Sequence, residues 1–195
     1  MRRPLWSAPL LILCLSSPAL ALDPLFIAST FRDDIETYTA QYLPTVKPSL
    51  IAAQVHQESK WSATAISQAG AAGLLQIMPG TARDIAGTCH IPGFDRFNPL
   101  HSLKGGICYN AQVRKWVGTF TLAEDQNSAM LSGYNGGAGY IIKQRRAAVA
   151  AGLDRAIWKN VVKWCGLYRS RSSCDENMGY APAIRKWQRL YYAAW

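Results

Sequence analysis

The sequence predicts a mainly α-helical single domain with little or no β-structure. Three observations predict it. Apolar residues recur at three- and four-residue spacing through several segments, and no strand-length alternating run stands out. The 195 residues, 49% of them hydrophobic, suffice for one sizeable core. There is no internal repeat and no low-complexity tract.

Residues 1–21 read as a secretory signal peptide. Arg2 and Arg3 supply the positive start, Leu10–Leu15 the apolar centre, and Ala19-Leu20-Ala21 an A-x-A cleavage site. The apolar run is too short for a comfortable membrane span, and Cys14 follows Ile12 and Leu13 rather than the small residues of a lipoprotein anchor. The expected product is exported, periplasmic or secreted, with no stable membrane insertion after cleavage. A retained segment acting as a tether is the alternative.

Residues 22–45 read as a mixed N-terminal extension with a local acidic cluster, Asp33-Asp34-Ile35-Glu36. Pro44 and Pro48 bracket a boundary, so the main domain is expected over 46–195. Its first helix opens at Pro48, where proline suits the first turn, and runs through Leu50–Ser59. Residues 63–73, rich in Ala, Ser and Gly, read as loop. A short helix over Thr81–Ala86 follows Pro79-Gly80, and residues 88–100 read as irregular. Helices are expected over Ser102–Val117, over Leu122–Tyr134 with Asn135-Gly136-Gly137 as its stop, and over Ala138–Ala151 before Gly152. A last helix is expected from Pro182 onward, with Ile184, Trp187, Leu190 and Tyr191 on one side.

Signal cleavage leaves Cys89, Cys108, Cys165 and Cys174, and an even count in an exported chain implies two disulfides. Four cysteines allow three pairings. The short polar loop Gly166–Ser173 favours Cys165–Cys174, which leaves Cys89–Cys108. A zinc site is the alternative, but no C-x-x-C or H-x-x-x-H spacing occurs, and neither metal nor cofactor is expected.

The formal charge is +9, and removal of Arg2 and Arg3 with the signal segment takes it to +7. A basic exported protein suits an anionic extracytoplasmic polymer. Export and scattered charge argue against nucleic acid. The one local run, Lys143, Arg145 and Arg146, reads equally well as a solvated helix face.

Glu58 is the only acid between Glu36 and Asp84. It shares a helix face with Ile51 and Val55, at spacings of three and four. A carboxylate on a core-facing stripe is costly unless paired or used. Partial desolvation would keep it protonated, as a general acid requires. A capped or salt-bridged glutamate fits the same spacing.

Four clusters decide between these readings. They are Gln57-Glu58-Ser59, then Ser67–Pro79 with its Gly73-Leu74-Leu75-Gln76-Ile77-Met78-Pro79 end, then Ser132-Gly133-Tyr134-Asn135-Gly136-Gly137, then Glu176–Tyr180. In this order they resemble the soluble-type lytic transglycosylases of the lysozyme-like superfamily, over about residues 46–186. That family carries an E-S dipeptide, a G-A-x-G-L-M-Q-x-M-P segment, an A-Y-N-x-G segment and an E-T-R-x-Y segment. Asn98-Pro99, Ser102-Leu103 and Gly105 or Gly106 match its middle stretch. Leu75 departs from the family's Met, Gly133 from its Ala, and Asn177 and Met178 from its Thr and Arg.

The resemblance implies a lysozyme-like fold with a substrate cleft, and peptidoglycan glycan strands as substrate. Glu58 would protonate the MurNAc-β-1,4-GlcNAc linkage and then act as base toward the muramic C6 hydroxyl, leaving a 1,6-anhydro end. No second carboxylate lies in the matched motifs, which fits assistance by the substrate's own acetamido group. Ser59 would orient Glu58 or the acetamido group. Gln76 and Asn135 offer amide donors and acceptors, Tyr134 and Tyr180 a stacking face with a hydroxyl, and Met78 a cleft wall.

A goose-type lysozyme shares the fold and the acid but hydrolyses with water. A non-catalytic peptidoglycan-binding module would tolerate loss of the acid, against which Glu58 in full motif context speaks. His56-Gln57-Glu58 matches the H-x-E of zinc deaminases, but the later P-C-x-x-C is absent. A phage lysis enzyme and a bacterial enzyme opening the wall for a secretion apparatus would use the same residues.

Overall fold

The computed structural model describes residues 23–195. The expected signal peptide over 1–21, and Cys14 within it, lie outside these residues. Among the described residues the chain is a succession of helices whose ends follow local chemistry. Helix α1, Pro24–Thr30, starts where the Asp23 carboxylate accepts from the Leu25 N–H. Helix α2 is Arg32–Tyr42 and α3 is Pro48–Ser59, opened by its proline. Helices α4, Pro79–Thr88, and α5, Pro99–Val117, also begin at prolines. Asn98 caps α5 by accepting from the N–H groups of Leu100 and His101. Helices α6, Ala123–Gly136, and α7, Ala138–Ala150, are separated only by Gly137. Helix α8, Trp158–Val162, a 3₁₀ turn at Cys165–Leu167, and α9, Arg171–Tyr191, complete the order. Isolated bridges at Ile66–Ala72 and Ala72–Ile77 are the only β-pairing among the described residues.

The structure differs from the sequence reading in three places. Residues 24–42, expected as a mixed lead-in, form α1 and α2, and α2 packs on α3 and α5. The pattern is faint because only Ile35 and Thr39 of α2 are buried, the other positions being polar or half-exposed. Helix α9 starts at Arg171, well before Pro182, which sits inside it. Proline removes one N–H but leaves the helix intact where packing holds both sides. Helix α8 and the 3₁₀ turn are too short to leave a periodicity.

Helix α3 lies between α2 and α9, and α5 lies against α2, α4, α6 and α7. Their shared core holds Ile51, Val55, Leu74, Leu75, Ile107, Leu131 and Ile184. A smaller core under α7 and α8 holds Val113, Phe120, Ile141 and Val161. Two family departures follow from this packing. A methyl group at Gly133 would lie 2.7 Å from Cγ1 of Val113, so α5 and α6 meet too closely for alanine. Leu75 fills the space over Gly106, where a Cβ would strike the leucine side chain.

An aromatic group fastens α9 to the end of α3. The His56 ring stacks on Trp187 at 4.7 Å and on Tyr191 at 5.6 Å. The Tyr192 hydroxyl bonds His56 Nδ1 at 2.8 Å and accepts from Trp61 Nε1 at 2.7 Å. Burial and nearby Lys60 push the His56 pKa down, so the ring stays neutral as this packing requires.

Both expected disulfides are present. Cys89–Cys108 joins the end of α4 to α5, and Cys165–Cys174 joins the 3₁₀ turn to α9. Thiol titration of the unfolded, unreduced protein purified from an oxidising compartment should find none of these four cysteines free. Reduction should lower stability by roughly 2–4 kcal/mol per bridge in a denaturant titration.

Candidate active site

The site is built where α3 ends beneath α9. Glu58 stands one residue before the end of α3, and the chain then turns sharply through Lys60 and Trp61, both with positive φ. The turn is held from below. The Ser59 hydroxyl donates to the Val55 carbonyl at 3.3 Å and accepts from the Trp61 N–H at 3.1 Å. The hydroxyl expected to orient Glu58 or a sugar acetamido group is thus committed to backbone. Immediately after a helix end the orphan carbonyls and N–H groups compete for it.

Glu58 is partly buried, and its carboxyl oxygen Oε1 accepts from the Tyr180 hydroxyl. Burial raises its pKa to about 7, against the smaller opposing effect of the Tyr180 hydrogen bond. No second carboxylate contributes to the shift. The tyrosines facing it are affected in turn. Burial and the Glu58 charge push the Tyr180 and Tyr134 hydroxyls well above their usual range, so both remain neutral donors.

Tyr180 is only 7% exposed. The sugar-stacking face expected of it is turned into the protein, because α9 packs directly on α3 and spends the ring as core. What remains is its hydroxyl, aimed at the acid. Tyr134 donates to the Leu75 carbonyl at 2.7 Å and packs edge-on against Tyr109 at 5.5 Å. That bond ties α6 to the loop carrying Gln76. Gln76 has φ +44 and its amide nitrogen donates to the carbonyls of Gly73 at 3.0 Å and Ala65 at 3.2 Å. A left-handed glutamine is strained, and here its own side chain closes the loop that strains it. Gly73 is also left-handed, and a Cβ there would collide with the Arg96 carbonyl.

Met78, at the start of α4, is 42% exposed and free to wall a cleft. Asn135 is exposed at the end of α6, and its Oδ1 accepts from Asn177 Nδ2 at 2.9 Å. The same Asn177 nitrogen donates to the Ser132 carbonyl at 2.9 Å, and Ser132 Oγ returns a bond to Asn177 Oδ1 at 3.0 Å. Asn177, a departure from the family pattern, is therefore the residue that locks Asn135 and α9 to α6. Beside it lies a cavity of about 490 Å³ lined by Asn135, Tyr140, Tyr168, Arg169, Ser173 and Glu176. The Arg169 guanidinium lies 4.0 Å over the Tyr140 ring and donates to the Gly136 carbonyl.

The structure thus brings Glu58, Tyr180 and Tyr134 together and joins Asn135 to α9. Sequence reasoning named Asn177 only as a departure from the family pattern and missed Gln54 and Asn110. Gln54 donates to the Tyr180 hydroxyl at 3.3 Å and accepts from Asn110 Nδ2 at 2.8 Å. Their one visible signal is a carboxamide at an apolar-stripe position, Gln54 one turn before Glu58 and Asn110 between Ile107 and Val113.

This geometry can be set beside known proteins. Residues 37–156 match the family model described as the transglycosylase SLT domain. The chain is 27% identical over 175 residues to the membrane-bound lytic murein transglycosylase F of Hahella chejuensis, covering 85% of this chain and 33% of that protein. It is 35% identical over 127 residues to the membrane-bound lytic murein transglycosylase C of Actinobacillus pleuropneumoniae, covering 56% and 34%. Among solved structures it resembles the 70 kDa soluble lytic transglycosylase SLT70 of Escherichia coli, with 25% identity and TM-score 0.63 over 84% of this chain and 24% of that one. A complex of the 70 kDa soluble lytic transglycosylase with bulgecin A aligns with TM-score 0.64 and 25% identity, over 86% of this chain and 25% of that one. The chain spans about a third of the length of the two transglycosylase relatives and about a quarter of SLT70. With more than half of its residues matched to the family model, the chain belongs to the transglycosylase SLT domain family.

Proposed function

We propose that this chain is an exported lytic transglycosylase that cleaves the MurNAc-β-1,4-GlcNAc bond of peptidoglycan without consuming water. The observation that carries the reading is Glu58, a partly buried carboxyl at a helix end, raised to about 7 by burial and held by one tyrosine hydroxyl. A general acid that must later serve as base works best near the ambient pH. The named relatives and the SLT70 fold support the substrate class. The N-terminal apolar segment and the two disulfides support export.

Protonated Glu58 gives its proton to the glycosidic oxygen as the bond from the muramic C1 breaks. The acetamido carbonyl oxygen of the same sugar bonds to C1 and carries the positive charge. Ionised Glu58 then takes the proton of the C6 hydroxyl, and O6 displaces the acetamido oxygen from C1. The carboxyl ends protonated as it began, and the product is a 1,6-anhydro end. In this scheme Asn135, Gln76 and Met78 bind sugar along the cleft, while Tyr180 and Tyr134 hold the acid and its surroundings.

Mass spectrometry of fragments released from purified sacculi tests this directly. Anhydro-ended muropeptides are expected as the dominant species; reducing muramic acid ends would reassign the chain to the hydrolytic lysozymes. Glu58→Gln should lower turnover by about two orders of magnitude or more while sacculus binding survives.

The same carboxyl makes a stability prediction of defined sign. The folded protein holds the Glu58 proton up to about pH 7, whereas the unfolded chain releases it near 4.5. Between those values the folded state binds more protons, so stability falls as pH rises. Glu58→Gln removes this loss. Urea unfolding should show the variant more stable than the native protein by about 2–3 kcal/mol at pH 8, with the difference vanishing near pH 4.

A further inference from the structure

Behind the acid, the core contains two carboxamides that packing alone does not call for. Gln54 and Asn110 are each 0% exposed, on α3 and α5, in the layer that also holds Ile51, Leu75, Ile107 and Leu131. They form a single line. Asn110 Nδ2 donates to Gln54 Oε1 at 2.8 Å, Gln54 Nε2 donates to the Tyr180 hydroxyl oxygen at 3.3 Å, and that hydroxyl donates to Glu58 Oε1.

The line has a direction. With its oxygen occupied by Asn110, Gln54 can offer Tyr180 only an N–H. The hydroxyl oxygen must then accept, and its hydrogen is left for Glu58. Turning both amides over would reverse the chain, but it would strand the N–H donors of Asn110. As built, the one atom of the line without any partner is the Asn110 carbonyl oxygen Oδ1. A buried orphan carbonyl is tolerated more often than a buried orphan N–H.

We propose that Gln54 and Asn110 are positioning residues, a buried amide relay that keeps the Tyr180 hydroxyl donating to Oε1 of Glu58, so that the catalytic proton is carried on Oε2. Oε1 is occupied as an acceptor in both protonation states. A syn or anti proton on Oε2 is the only one left to reach a glycosidic oxygen. The relay thereby selects one of two chemically equivalent oxygens and fixes the direction of proton delivery. It also implies a stability cost. Two buried amides with an orphan oxygen hold the core less well than two apolar side chains of similar shape would.

The groups that face Glu58 are Tyr180 from α9 and Tyr134 from α6, both neutral hydroxyls, and no charged side chain contributes to its shift. Of the two, Tyr180 is the one the relay governs. Losing its oriented donor should destabilise the carboxylate form and move the Glu58 titration upward.

The inference rests on Glu58 being the working acid, and the test reads Glu58 without turnover. The double variant Gln54→Leu/Asn110→Leu removes both amides together, so neither is left without the other, and the Tyr180 hydroxyl oxygen alone loses its donor. Carbon-detected NMR titration of side-chain-labelled glutamate should place the Glu58 midpoint about half a pH unit or more above that of the native protein. In a Tyr180→Phe background the same double change should move it by less than a third as much, since the relay then has nothing to orient. Thermal unfolding at pH 5 should show the double variant at least as stable as the native protein. An unmoved midpoint, or an equal shift in both backgrounds, overturns the relay. Should the double variant not fold, Gln54→Met, which fills the space without a donor, carries the same comparison. Failure of the muropeptide test with a positive titration would refute the reaction and keep the relay.

Discussion

The site depends on keeping one carboxyl group largely out of water. Glu58 sits on α3, but its dry surroundings come from elsewhere, from Tyr180 on α9, Tyr134 on α6 and the loop before α4. A carboxyl at a helix end would ordinarily be hydrated and acidic. It is raised to about 7 because α9, far away in sequence, returns across the end of α3. The aromatic group of His56, Trp61, Trp187 and Tyr192 secures that return, and Asn177 secures it from the other side through Ser132 and Asn135. Buried Ala181 and Ile184 hold the same helix in the core between these two fastenings.

Polar groups inside this core fall into two kinds. Ser59 and Gln76 satisfy backbone partners and so shape the turns beside them, and Asn177 joins α9 to the end of α6. Gln54 and Asn110 shape nothing of that sort. They connect α3 to α5 inside the core that also holds Ile51, Leu75 and Ile107. Their orientation matters only through Tyr180, and the directionality of a carboxamide, with a donor at one end and an acceptor at the other, is the property used.

Much of this was legible in the sequence, unevenly and for physical reasons. Glu58 was legible because a lone acid on an apolar stripe is conspicuous. Helices α3 to α7 were legible because their ends carry proline, asparagine or glycine beside clear periodicity. The presence of two disulfides was legible from the cysteine count, and the short loop favoured the Cys165–Cys174 pairing without fixing the connectivity. Helix α2 was not, since only two of its residues are buried and its acidic face dominates the pattern. The start of α9 was hidden by Pro182, which tertiary packing overrides. Ser59 and Tyr180 were found as residues but not in their tasks. Whether a hydroxyl meets backbone, carboxyl or sugar depends on which helix folds over it, and no local window contains that.

Helix α9 has a consequence for how relatives are compared. The family match ends at residue 156 and contains Glu58, Gln76, Tyr134 and Asn135, but not Tyr180 or Asn177. The group that touches the carboxyl therefore lies outside the stretch matched to the family model, in the Glu176–Tyr180 segment. Two proteins identical across that stretch can hold the acid at different strengths if their last helices differ, because that helix sets the surroundings of the acid. The acidity at which such a protein works would then change with its last helix alone.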